Sequence, residues 1–317
     1  MGNVRLGLAM TWALAWTATW ALLAIAGSPA AAQAGGTVVD AGGRSVSVSD
    51  ASRILCIGGD VTEIAYALGA GDRVTAVDTT SQYPPQALQE KKSVGYLRAL
   101  SSEGVISVGA TVVLASERAG PPEVVKTLKS SRVPYVEVPE DSTPEGLVKK
   151  IRLIARAIGT EAEGDRIARD VTAGFSALAE LRGRIARPVR ALFVLGIQNG
   201  RIMIGGKGTS ADAILELAGA RNAAAGVSGF RPVGDEAIVE LAPEVFVGMR
   251  RVSGNDNHDL SQLFAMKGVR ATPAGVARRL VVMDGNYLLS FGPRAPRAAR
   301  DLMHALYPEL DGADARQ

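Results

Sequence analysis

The chain has 317 residues, 47% of them apolar, which is enough for about two domains of roughly 150 residues each. Lys and Arg number 35 against 32 Asp and Glu, and this net charge of +3 carries no basic tail or patch, which argues against nucleic acid as a partner. One cysteine, Cys56, excludes an internal disulfide and a Cys-rich zinc site, and two histidines, His258 and His304, exclude a three-histidine metal site.

Arg5 is the only charge before Asp40. The chain is almost wholly apolar from Leu6 to Ile25, then passes Gly27, Ser28 and Pro29 to two small-x-small sites ending at Ala32 and Ala34. This pattern predicts a secretory signal over 1–34, cleaved near Ala32 or Ala34. Its length would also suit a retained anchor, but the cleavage-like end favours a signal. The product is then exported, and periplasmic in a host with two membranes.

Residues 35–159 read as a first α/β lobe. Arg53 to Ile57 is a short apolar run closed by Gly58-Gly59, the signature of a buried strand and a turn. A helix is expected from Thr62 to Leu68, and strands at Val74–Val77, Val112–Ala115 and Tyr135–Val138. Such alternation predicts a parallel sheet covered on both faces. Leu147, Ile151, Ile154 and Ile158 begin a helical stretch that resumes after Gly159 with Ile167, Val171, Phe175, Leu178, Leu181 and Ile185. Residues 160–187 are therefore expected to form one helix of about 25 residues, nearly 40 Å long, closed by Pro188 and stiff enough to join two lobes. Residues 188–317 repeat the scheme, with strands at Val189–Leu195, Val245–Gly248 and Leu280–Met283 and helices at Ala211–Leu217 and from about Pro296 to Leu306. The fold class is α/β: two Rossmann-like lobes with central parallel sheets, a long linking helix and a ligand cleft between the lobes.

Glu103 to Ala115 resembles Glu236 to Gly248 in pattern: a short helix, a turn, a buried strand. The loops before these copies hold Tyr96 and Arg231, which equivalent halves would set on opposite walls of the cleft. Ligands of open α/β sheets bind at such carboxyl-end loops.

No catalytic set is legible. Gly205 to Ser210 lacks the phosphate-loop spacing and reads as a turn, with Thr209 or Ser210 capping the next helix. GxSxG and HExxH are absent. His258 sits in a polar loop, His304 on the last helix, and Cys56 in its strand is expected to be inert. A binding protein is therefore expected, not an enzyme.

Tyr83-Pro84-Pro85, the block from Val94 to Gly104 (VGYLRALSSEG), Leu114 to Pro122 and the block from Tyr287 to Arg294 (YLLSFGPR) resemble the haem-binding periplasmic proteins of bacterial ABC haem importers. The resemblance runs from about Ser52 to Pro308. Its general frame, including Asp60 to Ile64 and Leu215 to Gly219, is shared with cobalamin and ferric-siderophore binders, so those ligands are the alternative on the same fold. By this resemblance Tyr96 is the axial ligand of ferric haem, the transported cargo, a haem b. A phenolate is a hard anionic oxygen that suits Fe(III). A free phenol ionises only near pH ~10, so the iron and a nearby guanidinium must favour the anion. Arg231 is the candidate for that guanidinium, with Arg98 second. Tyr83, Lys92, Arg118 and Arg294 are candidate rim residues for the propionates. Some relatives add a histidine from the second lobe. Here only His258 could serve, and a five-coordinate iron, or one covered by Arg231, is expected instead. Glu63 and Glu216, each in the first helix of its lobe, are the candidate docking carboxylates for an ABC permease dimer with its ATPase. The implied protein is a monomer, with an outer-membrane haem receptor system upstream.

Overall fold

The computed structural model describes residues 34–250, 260 and 262–310. After a two-stranded antiparallel ribbon, β1 (Thr37–Val39) and β2 (Ser45–Ser47), the first lobe is built on five strands: β3 (Ile54–Ile57), β4 (Val74–Val77), β5 (Lys92–Ser93), β6 (Val112–Ser116) and β7 (Tyr135–Val138). Their order is β5-β4-β3-β6-β7 and every pairing is parallel. All residues of β3 and β6 are buried, as a sheet covered on both faces requires. The helices α1 (Gly59–Ala67), α2 (Gln86–Glu90), α3 (Ser102–Ser107) and α4 (Pro122–Lys129) make the crossovers, and α5 (Pro144–Ala157) leads from β7 to the linking helix. The chain runs outward from β3 to β4 and β5 on one side and returns to β6 on the other, so the carboxyl ends of β3 and β6 form a topological switch point, where such sheets leave a crevice.

The linking helix α6 spans Glu161–Arg182, 22 residues, and ends at Gly183 rather than reaching Pro188. Its buried stripe of Ile167, Val171, Phe175 and Leu178 belongs to one apolar core that continues into both lobes. This packing makes α6 part of the core and not a tether.

The second lobe departs from the expected parallel sheet. Its strands are β8 (Arg190–Gln198), β9 (Arg201–Gly205), β10 (Arg221–Asn222), β11 (Phe230–Val233), β12 (Val245–Arg250) and β13 (Leu280–Asp284), in the order β11-β9-β8-β12-β13 with β10 beside β8. β12 pairs in parallel with β8 and β13, but β9 runs antiparallel to both β8 and β11. The cause is local. Asn199 and Gly200 both adopt positive φ (50° and 70°), which is the two-residue hairpin turn whose twist matches its strands. A hairpin thus stands where the first lobe has a helical crossover. The remaining helices are α7 (Ser210–Leu217), α8 (Asp235–Leu241), the one-turn α9 (Lys267–Arg270) and α10 (Pro273–Val276), α11 (Gly285–Leu289) and α12 (Ala295–Leu306). Thr209 caps α7 by accepting from the Asp212 N–H at 3.1 Å. Among the described residues no helix is long and apolar enough to cross a membrane.

Candidate functional site

A cleft of about 800 Å³ opens between the lobes at the switch point. That volume lies within the usual range for small-ligand sites, roughly 300–1,000 Å³. The first lobe supplies the polar wall: Gly58, Gly59 and Asp60 after β3, Thr79 and Thr80 after β4, Tyr96 and Arg98 after β5, Arg118 after β6 and Glu140 after β7. The second lobe supplies five apolar side chains, Leu195, Met203, Phe230, Met249 and Leu289, beside Ser210, Asn286 and Ser290 and with Arg250 at the end of β12. Leu195 sits where the β8–β9 register shifts, and such a bulge re-aims a side chain.

Backbone hydrogen bonds fix the loop that carries Tyr96. Val94 N–H donates to Val77 O and Thr79 N–H to Gly95 O, both at 2.9 Å. Leu97 O and Leu100 N–H pair with Gly120 at 2.8 and 2.9 Å. Gly95 has φ +89°, open to glycine and strained for other residues, and it turns Tyr96 outward with its side chain exposed. A second constraint holds the floor. The buried Asp78 carboxylate accepts from Gly58 N–H (2.8 Å), Thr80 N–H (2.9 Å) and the Ser81 hydroxyl (2.9 Å). Thr80 O then lies so near Gly59 that a Cβ there would meet it at 2.5 Å.

The floor also holds a chain of charges. Lys150 Nζ donates to Asp60 Oδ2 at 2.5 Å with side chains only 1% and 6% exposed. Arg118 Nη2 lies 3.4 Å from Glu140 Oε2, and the Ser116 hydroxyl donates to Glu140 Oε1 at 2.7 Å. Burial, then the Asp60 charge, push the Glu140 carboxyl above its ordinary value against the pull of Lys150 and Arg118. Burial alone would lower the Lys150 ammonium, but Asp60 and Glu140 outweigh it and hold it above its ordinary value.

The cleft therefore brings together Tyr96, Arg98 and Arg118. Four other candidates lie outside its lining. Arg231 is exposed on β11 and its Nε donates to Ser228 O at 3.2 Å. Lys92 is exposed on the short edge strand β5. Arg294 lies over the Tyr83 ring, 3.3 Å from its centroid, and its Nη2 donates to Glu63 Oε2 at 2.9 Å. Glu63 is therefore buried and paired, a different setting from the exposed docking carboxylate that the resemblance implies, whereas Glu216 is exposed. His258 lies outside the described residues, and His304 is on α12. Cys56 is fully buried in β3, and desolvation followed by repulsion from Asp78 raises its thiol well above the ordinary range.

The sequence reading leaves out Met203 and Phe230, because strands β9 and β11 are not legible in it, and Arg250, because the strand expected at Val245–Gly248 runs on to Arg250 in β12. It also passed over Glu103 and Glu236. Both are exposed, each lies in the first turn of its helix (α3 and α8), and they occupy equivalent places in the internal repeat. Both helices begin at the strand edge that carries the cleft. The repeat itself was the available signal.

A model of the Periplasmic binding protein family matches residues 54–287. The chain is similar to the apo periplasmic heme-binding protein RhuT from Roseiflexus sp. RS-1, with a TM-score of 0.76 and 33% identity over 82% of this chain and 99% of that one. It is also similar to the periplasmic heme-binding protein BhuT in complex with two hemes, with a TM-score of 0.75 and 35% identity over 81% of this chain and 98% of that one. By sequence it is 26% identical over 205 residues to the Vitamin B12-binding protein of Vibrio parahaemolyticus, covering 64% of this chain and 73% of that protein. The matched span and the two-lobed architecture agree: the chain belongs to the periplasmic binding protein family, the extracytoplasmic substrate-binding proteins of ABC transporters, and its fold is close to that of the haem-binding members.

Proposed function

We propose that the protein captures ferric haem between its lobes, with Tyr96 as the axial iron ligand, and delivers it to the inner-membrane permease of an ABC importer. The observation that carries this reading is an exposed phenol, held on a fixed loop, in a cleft whose opposite wall is apolar. A planar macrocycle packs on such a wall, and a phenol oxygen is among the axial ligands that hold haem iron. Arg98, Arg118 and Arg250 line the same cleft and are the candidate partners of the two propionates. Arg231 joins them only if its side chain turns into the cleft. The test is a visible-absorption titration of the mature protein with ferric haem, run beside cyanocobalamin and a ferric siderophore. A saturable Soret change with haem alone supports the reading and gives the stoichiometry. Binding of cobalamin in its place overturns it.

Glu140 competes with a propionate for Arg118. As pH rises through the raised pKa of Glu140, its carboxylate forms, draws Arg118 and repels the propionates, so haem affinity falls. Glu140→Gln removes that charge. Its affinity is expected to exceed wild type by about twofold to fivefold above the pKa of Glu140, the worth of a half-exposed ion pair. The difference should vanish below it. Equal pH profiles for the two proteins would refute the competition.

For docking, the paired and exposed carboxylates Glu103 and Glu236 fit a dimeric permease better than the buried Glu63 does. Charge reversal at both is expected to lower haem transport into permease-containing proteoliposomes by about tenfold, since like charges at an interface repel. Haem binding should be unchanged, and Glu216→Lys is the comparison variant.

A further inference from the structure

Glu63 comes from α1 in the first lobe and Arg294 from the loop before α12 in the second. Their contact is made twice: Arg294 N–H donates to Glu63 Oε1 at 3.1 Å and Arg294 Nη2 donates to Oε2 at 2.9 Å. The Glu63 side chain is 5% exposed, so the carboxylate has given up water for this one partner. The guanidinium is also packed over the ring of Tyr83, a first-lobe residue, 3.3 Å from the centroid. Gly292 lets the second-lobe backbone come this close, since a Cβ there would fall 2.7 Å from Glu63 Cδ. A neighbouring hydrogen bond crosses the same seam: Asn286 Nδ2 donates to Thr80 O at 3.0 Å. Thr80 and Asn286 both line the ligand cleft. The seam thus reaches the lining of the site.

We propose that Glu63 and Arg294 form an interlobe clasp that sets the width of the cleft, and so how long a cargo stays in it. This rests on the reading of the cleft as the ligand site. Glu63 acts as a positioning residue: it touches no ligand, but the loop of Thr80 and the helix of Asn286 keep their separation only while the clasp holds. A buried pair is costly to break and leaves a buried charge when it breaks, so it stays closed until something outside supplies the work.

The test uses the mature protein carrying spin labels at Lys126→Cys in α4 and Glu240→Cys in α8, both exposed positions in different lobes. Cys56 is fully buried and does not compete for label. Glu63→Gln is expected to broaden the interlabel distance distribution of the ligand-free protein. It should also speed haem transfer to apomyoglobin about tenfold, the equivalent of about 1.4 kcal/mol. Tyr83→Ala, which keeps the ion pair and removes only the stacking, should move both readouts the same way by less, and covers the case in which Glu63→Gln folds poorly. An unchanged distance distribution in both variants overturns the clasp, whether or not release is faster. If the wild type binds no haem, the functional reading fails while the distances still judge the clasp.

Discussion

Replacing Tyr96 with alanine is expected to weaken ferric haem binding by about a hundredfold or more. Removing a supporting residue around a metal commonly costs tenfold to a hundredfold, and Tyr96 is argued to be the ligand itself. The loop should survive the change. It is held by main-chain hydrogen bonds to Val77, Thr79 and Gly120, none of which uses the phenol, and the side chain is 43% exposed. Tyr96→Phe separates the two contributions of the residue. It retains the ring as apolar surface and removes the oxygen, so residual binding should lose the charge-transfer band of a phenolate-ligated ferric iron while keeping part of the Soret change. A mutant that binds with unaltered affinity and spectrum would move the iron ligand elsewhere, with His258 the next residue to change.

The largest effect on stability is expected at Lys150. Its ammonium sits between Asp60 and Glu140 beneath the cleft, 1% exposed, and serves as the counter-charge to both. Lys150→Met leaves two carboxylates in a poorly hydrated place without it. Breaking a buried pair from one side costs about 3–5 kcal/mol. For a protein of this size that corresponds to a fall in Tm of about 5–9 °C by calorimetry. The sign of the pH dependence follows from the raised pKa of Lys150. Its contribution is complete below the ordinary lysine value and is lost only as pH rises through the higher folded value, so the ammonium stays charged across neutral pH and any change in the penalty there reports the ionisation of Glu140. Lys150→Met combined with Asp60→Asn should recover much of the loss, because an apolar or neutral replacement of a whole buried pair is often harmless. A single mutant as stable as wild type would mean that water reaches the pair.

The first lobe was nearly legible because its strands are short apolar runs closed by glycine or turn residues, and β3, β4, β6 and β7 were read within a residue or two. The long helix was legible by its stripe, but its end was misplaced: Pro188 looked like the stop, while Gly183 ends it five residues earlier. The second lobe was harder for a physical reason. β11 contains Pro232, which argues against a strand anywhere but at an edge, and β11 is the edge of its sheet. Once β11 and β9 were overlooked, Met203 and Phe230 could not be placed on the cleft wall. Helical spacing tells nothing of a partner 231 residues away, so the contact of Glu63 with Arg294 could not be read from the sequence. Tyr96 is marked as a candidate by its motif and by its place before the repeat, whereas Arg250 becomes visible only when the strand order puts the end of β12 at the cleft.

The wall made by Leu195, Met203, Phe230, Met249 and Leu289 has a consequence for the form in which a haem cargo travels. Its side chains are all apolar and offer a planar ring contact area without reading its periphery. Protohaem is lopsided, since turning it over about the axis between its propionates exchanges vinyl and methyl positions and leaves the carboxylates where they were. These five side chains carry no directional group and do not distinguish the two faces, so any preference for one orientational isomer falls to the polar groups beside them, Ser210, Arg250, Asn286 and Ser290. Where the apolar contacts dominate, the carrier ferries both isomers, and sorting the cargo's handedness falls to the protein that receives it.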